Sequence, residues 1–117
     1  MSAAQAGENL TSTVLHASER DTVVVVRPGG RTGRVDAAAS VDELRSLGVD
    51  VLELTMDAMR DAVQHRSIAN LANVRLILAF HDAAAVAEAL SELTGAPVVA
   101  VSGTLSRHSV ARILEAH

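Results

Sequence analysis

No cysteine occurs anywhere in the 117 residues, which removes disulfides, thiolate zinc sites, iron–sulfur clusters and cysteine nucleophiles from the chemistry open to this chain. Aromatic residues are nearly as scarce at 1%, so any core must be aliphatic. Lysine is missing too. All 10 basic residues are arginine, set against 14 acidic ones for a formal net charge of −4. Arginine-only usage beside so much Ala and Val reads as GC-rich coding, and the acidic balance argues against nucleic-acid binding, which needs a dense cationic field. No run approaches the roughly 18 apolar residues of a membrane span, and the start MSAAQAGENLTSTVLH lacks the basic and apolar segments of a signal peptide. The expectation is a soluble cytoplasmic protein, for which the sequon Asn9-Leu10-Thr11 has no meaning.

What is present fits one domain. Residues 1–18, rich in Ala, Ser and Thr, read as a flexible N-terminal arm, and residues 19–117 as a single α/β domain. Asp21–Arg27 contains TVVVV, a β-branched run without alternation, which predicts a strand buried on both faces in the middle of a parallel sheet. Pro28-Gly29-Gly30 stops it, and the following RTGR reads as a basic loop, with room for a hairpin returning through Val35. Ser40-Val41-Asp42-Glu43 matches a capping box and places a short helix after it, ended by Gly48. VDVLELT at 49–55 carries Asp50 and Glu53, which puts that strand near an edge. Met56, Met59 and Val63 predict a helix over roughly 57–72.

The most explicit stretch is Val74–Ser106, VRLILAFHDAAAVAEALSELTGAPVVAVSGTLS, which reads as strand, helix, strand. Asp82 is the candidate cap of its helix, Gly95 and Pro97 its terminators, and Thr104 or Ser106 the cap of a last helix facing inward through Val110, Ile113 and Leu114. Strands alternating with helices imply a three-layer Rossmann-like or flavodoxin-like α/β domain with a mostly parallel sheet of about four strands.

Two segments hold residue types that bind or react. Gly29, Gly30, Arg31, Thr32, Gly33 and Arg34 follow a buried strand, and glycines let backbone amides converge on an anion. The loop matches neither G-x-x-x-x-G-K-[ST] nor G-x-G-x-x-G, so a plain turn explains it as well. His81 and Asp82 end one strand while Ser102, Gly103, Thr104 and Ser106 follow the next. In open α/β sheets that edge is where ligands bind. An imidazole, a carboxylate and hydroxyls there are the ingredients of acid–base or Ser–His chemistry, and equally of ordinary helix caps. The five histidines show no i, i+4 metal spacing, and no cofactor is expected.

Val74–Ser106 also resembles the C-terminal core of bacterial caspase-like peptidases, including the CHAT group, in its apolar strand, its helix containing AEAL and its following Gly-x-Pro-Val strand. The resemblance covers about a third of the chain. It places His81 where that family carries its nucleophilic cysteine, and the family's His-Gly, due near Leu54-Thr55-Met56-Asp57, is absent. It therefore implies at most a degenerate, non-proteolytic relative or a shared Rossmann-like topology. APVVAVSGTLSRHSVARILEAH is similar to the fourth strand and following helix of response-regulator receivers, whose acidic pair is replaced here by Arg27-Pro28.

The leading functional expectation is a non-catalytic regulatory or protein-interaction domain, a pseudo-enzyme or self-associating module with a protein partner or a homo-oligomer. The alternative is a small-molecule or phosphate binder using Gly29–Arg34 and Ser102–Ser106. A hydrolase using His81 ranks last.

Overall fold

The computed structural model describes residues 15–16, 21–65, 67–69 and 73–117. In chain order the elements are β1 (Leu15–His16), β2 (Thr22–Arg27), α1 (Arg31–Ser46), β3 (Asp50–Thr55) and α2 (Met56–His65). Then come β4 (Ile68–Ala69), β5 (Val74–Phe80), a 3-10 turn at His81–Ala83, α3 (Ala84–Thr94), β6 (Val98–Val101) and α4 (Arg107–Ala116).

Val23, Val24, Val25 and Val26 of β2 are all fully buried, so both faces of this strand must be covered and both edges paired. Its neighbours are β3 and β5, each parallel to it, and β6 continues the sheet beyond β5 in the order β3-β2-β5-β6. Val24 and Val26 join Ile77 and Ala79 on one face, beneath Met59 and Ala62 of α2 and Ala87 and Leu90 of α3. Val23 and Val25 join Leu76, Leu78 and Phe80 on the other, beneath Ala37, Val41 and Leu44 of α1 and Val110 of α4. The result is a three-layer α/β fold whose strand order is that of flavodoxin-like sheets through the fourth strand.

The acidic residues of β3 mark it as an edge strand, and its place in the order bears that out. Glu53 is held there by Arg27 of β2, whose Nε donates to Glu53 Oε2 at 2.8 Å. Arg75 of β5 likewise donates from Nη2 to the Leu114 carbonyl at 2.7 Å, placing a cation at the C-terminal end of α4.

Three local expectations change. The segment from Arg31 is helical rather than a loop or hairpin, so α1 begins directly after Gly30, and Ser40 and Glu43 fall in its interior rather than at its start. The period of Ala37, Val41 and Leu44 extends one continuous helical face across the sheet, and this burial outweighs the local capping signal. Second, α2 stops at His65; Ile68–Ala69 instead forms β4, paired in parallel with β1. Third, Asp82 is exposed and caps nothing, because the 3-10 turn precedes α3 and Ala83 takes the cap position. Of the proposed 1–18 arm, residues 1–14, 17 and 18 lie outside the described residues; Leu15–His16 is β1.

Gly48 does end α1 as read. At φ +81° it lets Val49 N–H reach the Leu44 carbonyl at 3.1 Å while Gly48 N–H reaches Arg45 at 3.0 Å, the paired bonds of a Schellman stop. Ser106 caps α4, accepting from Ser109 N–H at 3.1 Å.

Leu78 is 1% exposed on the central sheet, so Leu78→Ala should lower the unfolding free energy by about 3 kcal/mol. Val35 on α1 is 57% exposed, and Val35→Ser should change it by less than about 0.5 kcal/mol. Urea unfolding of the two variants measures the contrast.

Candidate functional site

The chain leaves β2 toward β3 on one side, and later leaves β5 toward β6 on the other. The carboxyl ends of β2 and β5 therefore flank the point where the strand order reverses, the usual binding crevice of such sheets. Three segments meet there: the first turns of α1, the tip of β5 at His81, and the loop from β6 to α4.

Asp36 joins them. Its Oδ2 accepts from His81 Nε2 at 2.8 Å and its Oδ1 accepts from the Thr104 hydroxyl at 2.9 Å. A carboxylate only accepts, so the pair fixes the proton of His81 on Nε2. The Asp36 side chain is 17% exposed and that of His81 29%, so the pair is partly shielded from water. One turn along α1, the fully buried Ser40 hydroxyl donates to the Asp36 carbonyl and accepts from Leu105 N–H, each at 3.2 Å. His81 adopts φ +55°, the left-handed region that non-glycine residues rarely visit, where β5 turns into the 3-10 helix. Gly103, at φ +85°, makes the corresponding turn before Thr104.

Of the residues singled out from sequence, His81 and Thr104 are brought together through Asp36. Gly29 and Gly30 are exposed just before α1, and Arg31 and Arg34 are exposed on its first turn. Thr32 and Gly33 are in that turn, and the Thr32 side chain lies outside what is described. Gly30 is the N-cap, without a side-chain cap, and the first turn of α1 holds no acidic residue. Ser102 and Asp82 are exposed, and neither forms a hydrogen bond with His81. Ser106 is committed to α4: besides accepting from Ser109 N–H, its Oγ donates to Ser109 Oγ at 3.1 Å.

Sequence reasoning missed Asp36 and Ser40. The signal was the spacing Ala37, Val41, Leu44; extended one turn backward it makes a helix on which Asp36 and Ser40 share a side, four residues apart. Nothing local could show that Asp36 would meet a histidine 45 residues later.

Elsewhere, an apolar hollow of about 270 Å³ between α2 and α3 is lined by Arg60, Val63, Ala85, Val86 and Ala89. Its one charged group, Arg60, is bonded to Asp57 at 3.1 Å. Among the described residues no group of three or more His, Asp or Glu is placed to hold a metal ion, and no helix is long and apolar enough to cross a membrane. Comparison with known protein families, with curated proteins and with solved structures found no match to the chain.

Asp36→Ala leaves two donors without their acceptor and should cost about 2 kcal/mol, against about 1 kcal/mol for Thr104→Val at its exposed position. The double variant should cost less than the sum, because both changes remove one shared bond. Chemical unfolding of the four proteins in a double-mutant cycle measures the coupling, and full additivity would show that the Thr104 contact carries no energy.

Proposed function

We propose that this chain is a non-catalytic α/β regulatory or protein-interaction domain, a degenerate pseudo-enzyme that works through contacts with itself or with a partner protein. The observation that carries this reading is how Asp36 uses its neighbours. Ser–His hydrolysis, the chemistry weighed for His81, uses a base hydrogen-bonded to its nucleophile. Here His81 Nε2 and the Thr104 hydroxyl both bond the same carboxylate, and Ser106 is spent on a helix cap. The polar groups of the carboxyl edge thus hold three segments together rather than forming an attacking pair. On the resemblance to caspase-like peptidases, the nucleophile position is His81, and its engagement with Asp36 fits a non-proteolytic relative.

The two outer strands support self-association through one edge. β3 carries Asp50 and Glu53, charges of the kind that discourage strand addition. β6, VVAV, carries none, and its Ala100 is exposed. An uncharged edge strand is a template for pairing with another chain.

A second reading, a small anionic ligand at the Gly29–Arg34 and Ser102–Ser106 segments, is favoured by one feature. α1 starts beside the strand-order reversal, with no side-chain cap at Gly30 and no acidic residue in its first turn, the kind of helix start whose backbone amides bind anions.

Light scattering coupled to size-exclusion chromatography should show a concentration-dependent dimer that Ala100→Lys shifts to monomer; a monomer at every accessible concentration would remove the self-association reading. For the second reading, phosphate or nucleotides should raise the melting temperature, and Arg31→Ala with Arg34→Ala should abolish the rise. No shift with any of them would sink it.

A further inference from the structure

The loop Ser102–Ser106 crosses the carboxyl edge on few attachments. Ser102, Thr104 and Ser106 are exposed, while Leu105 packs against the core cluster beneath α1 and α4. Among the described residues, two hydrogen bonds tie the loop to α1: Thr104 Oγ1 to Asp36 Oδ1 at 2.9 Å and Leu105 N–H to Ser40 Oγ at 3.2 Å. Gly103 sits at φ +85°, and Ser106, in extended backbone at φ −77° and ψ 163°, caps α4 through its own side chain. Beneath the loop lies Ser40, a polar side chain with no exposure, beside the part-buried Asp36.

We propose that Ser102–Ser106 is a lid over the strand-end crevice, opening about Gly103 and Ser106 while the sheet and α4 stay folded. β6 ends before Gly103 and the α4 cap lies at the other end, so swinging the loop outward breaks neither a strand ladder nor the capping bonds. What it does break is the pair of bonds to α1 and the contact of Leu105. The open state uncovers Asp36 Oδ1 and Ser40 Oγ, two hydrogen-bond acceptors side by side on α1. Lid and latch are then separate in sequence: the moving part is in the β6–α4 loop, and the residues that hold it are on α1. The lid is regulation of the carboxyl edge and does not depend on whether a protein or an anion binds there.

Native-state hydrogen exchange on the full chain tests this, because a segment that opens alone exchanges faster than the global unfolding limit. The Leu105 amide, bonded to Ser40 Oγ, should exchange well above the rate set by Ile77 and Leu78 of β5. Thr104→Val should speed Leu105 about fivefold and Ser40→Ala about tenfold, with the β5 amides changed less than twofold if overall stability is matched by denaturant. Leu105 exchanging only at the β5 rate, in the unmodified chain and in Thr104→Val, would overturn the proposal; should Ser40→Ala fail to fold, the surface variant Thr104→Val still decides it. Loss of phosphate binding or of dimerisation would leave the exchange result unchanged, so failure of the lid and failure of the functional readings remain distinct.

Discussion

The whole architecture rests on four consecutive valines that water does not reach. Val23 to Val26 alternate between the two faces of β2, and each face is sealed by a different pair of helices. Each valine fully removed from water contributes on the order of 2 kcal/mol, a large sum beside a typical net stability of about 5–15 kcal/mol. A strand with no polar side can sit only in the interior of a covered sheet, and parallel pairing with crossover helices is the arrangement that covers both faces. From that follow a paired strand on each side of β2 and helices on opposite layers; in the structure the partners are β3 and β5, and the strand order reverses between β2 and β5.

Because the reversal falls next to β2, the first turns of α1 stand beside the tip of β5, and Asp36 comes within reach of His81. The carboxylate draws its donors from two other parts of the chain, and Ser40 one turn later holds the backbone of the β6–α4 loop. This arrangement places a left-handed histidine, a buried serine and a left-handed glycine at one edge of a sheet whose core clusters are apolar. The position is that of a ligand site in many α/β proteins, but position is a property of the fold and the chemistry belongs to the side chains.

The degree to which the structure was legible varied with how local the cause was. β5 was readable as the nearly all-apolar run that opens Val74–Ser106, and in the structure it spans Val74–Phe80, since a run of that length bounded by polar residues has few alternatives. The edge place of β3 followed from Asp50 and Glu53, which an interior strand would not tolerate on both faces. α1 was misjudged at its start. Gly29-Gly30 and Gly33 are turn formers taken singly, and Ser40 with Glu43 has the spacing of a capping box, yet the helix begins at Arg31. Local propensities there are worth about 1 kcal/mol each, less than the burial of Ala37, Val41 and Leu44 against the sheet. The end of α2 went the opposite way, with Ile68–Ala69 drawn into a strand pair with a segment near the N-terminus.

Composition alone removed cysteine chemistry from this chain, and patterning alone determined the layered α/β class, the buried central strand and one edge, because those follow from which side chains avoid water and at what period. The tertiary structure decided the strand order, the start of α1 and the meeting of Asp36 with His81 and Thr104. Those three residues lie far apart in the chain and carry no mutual signal in it; a hydrogen bond depends on position to within a fraction of an ångström, and only the packed helices and sheet supply that.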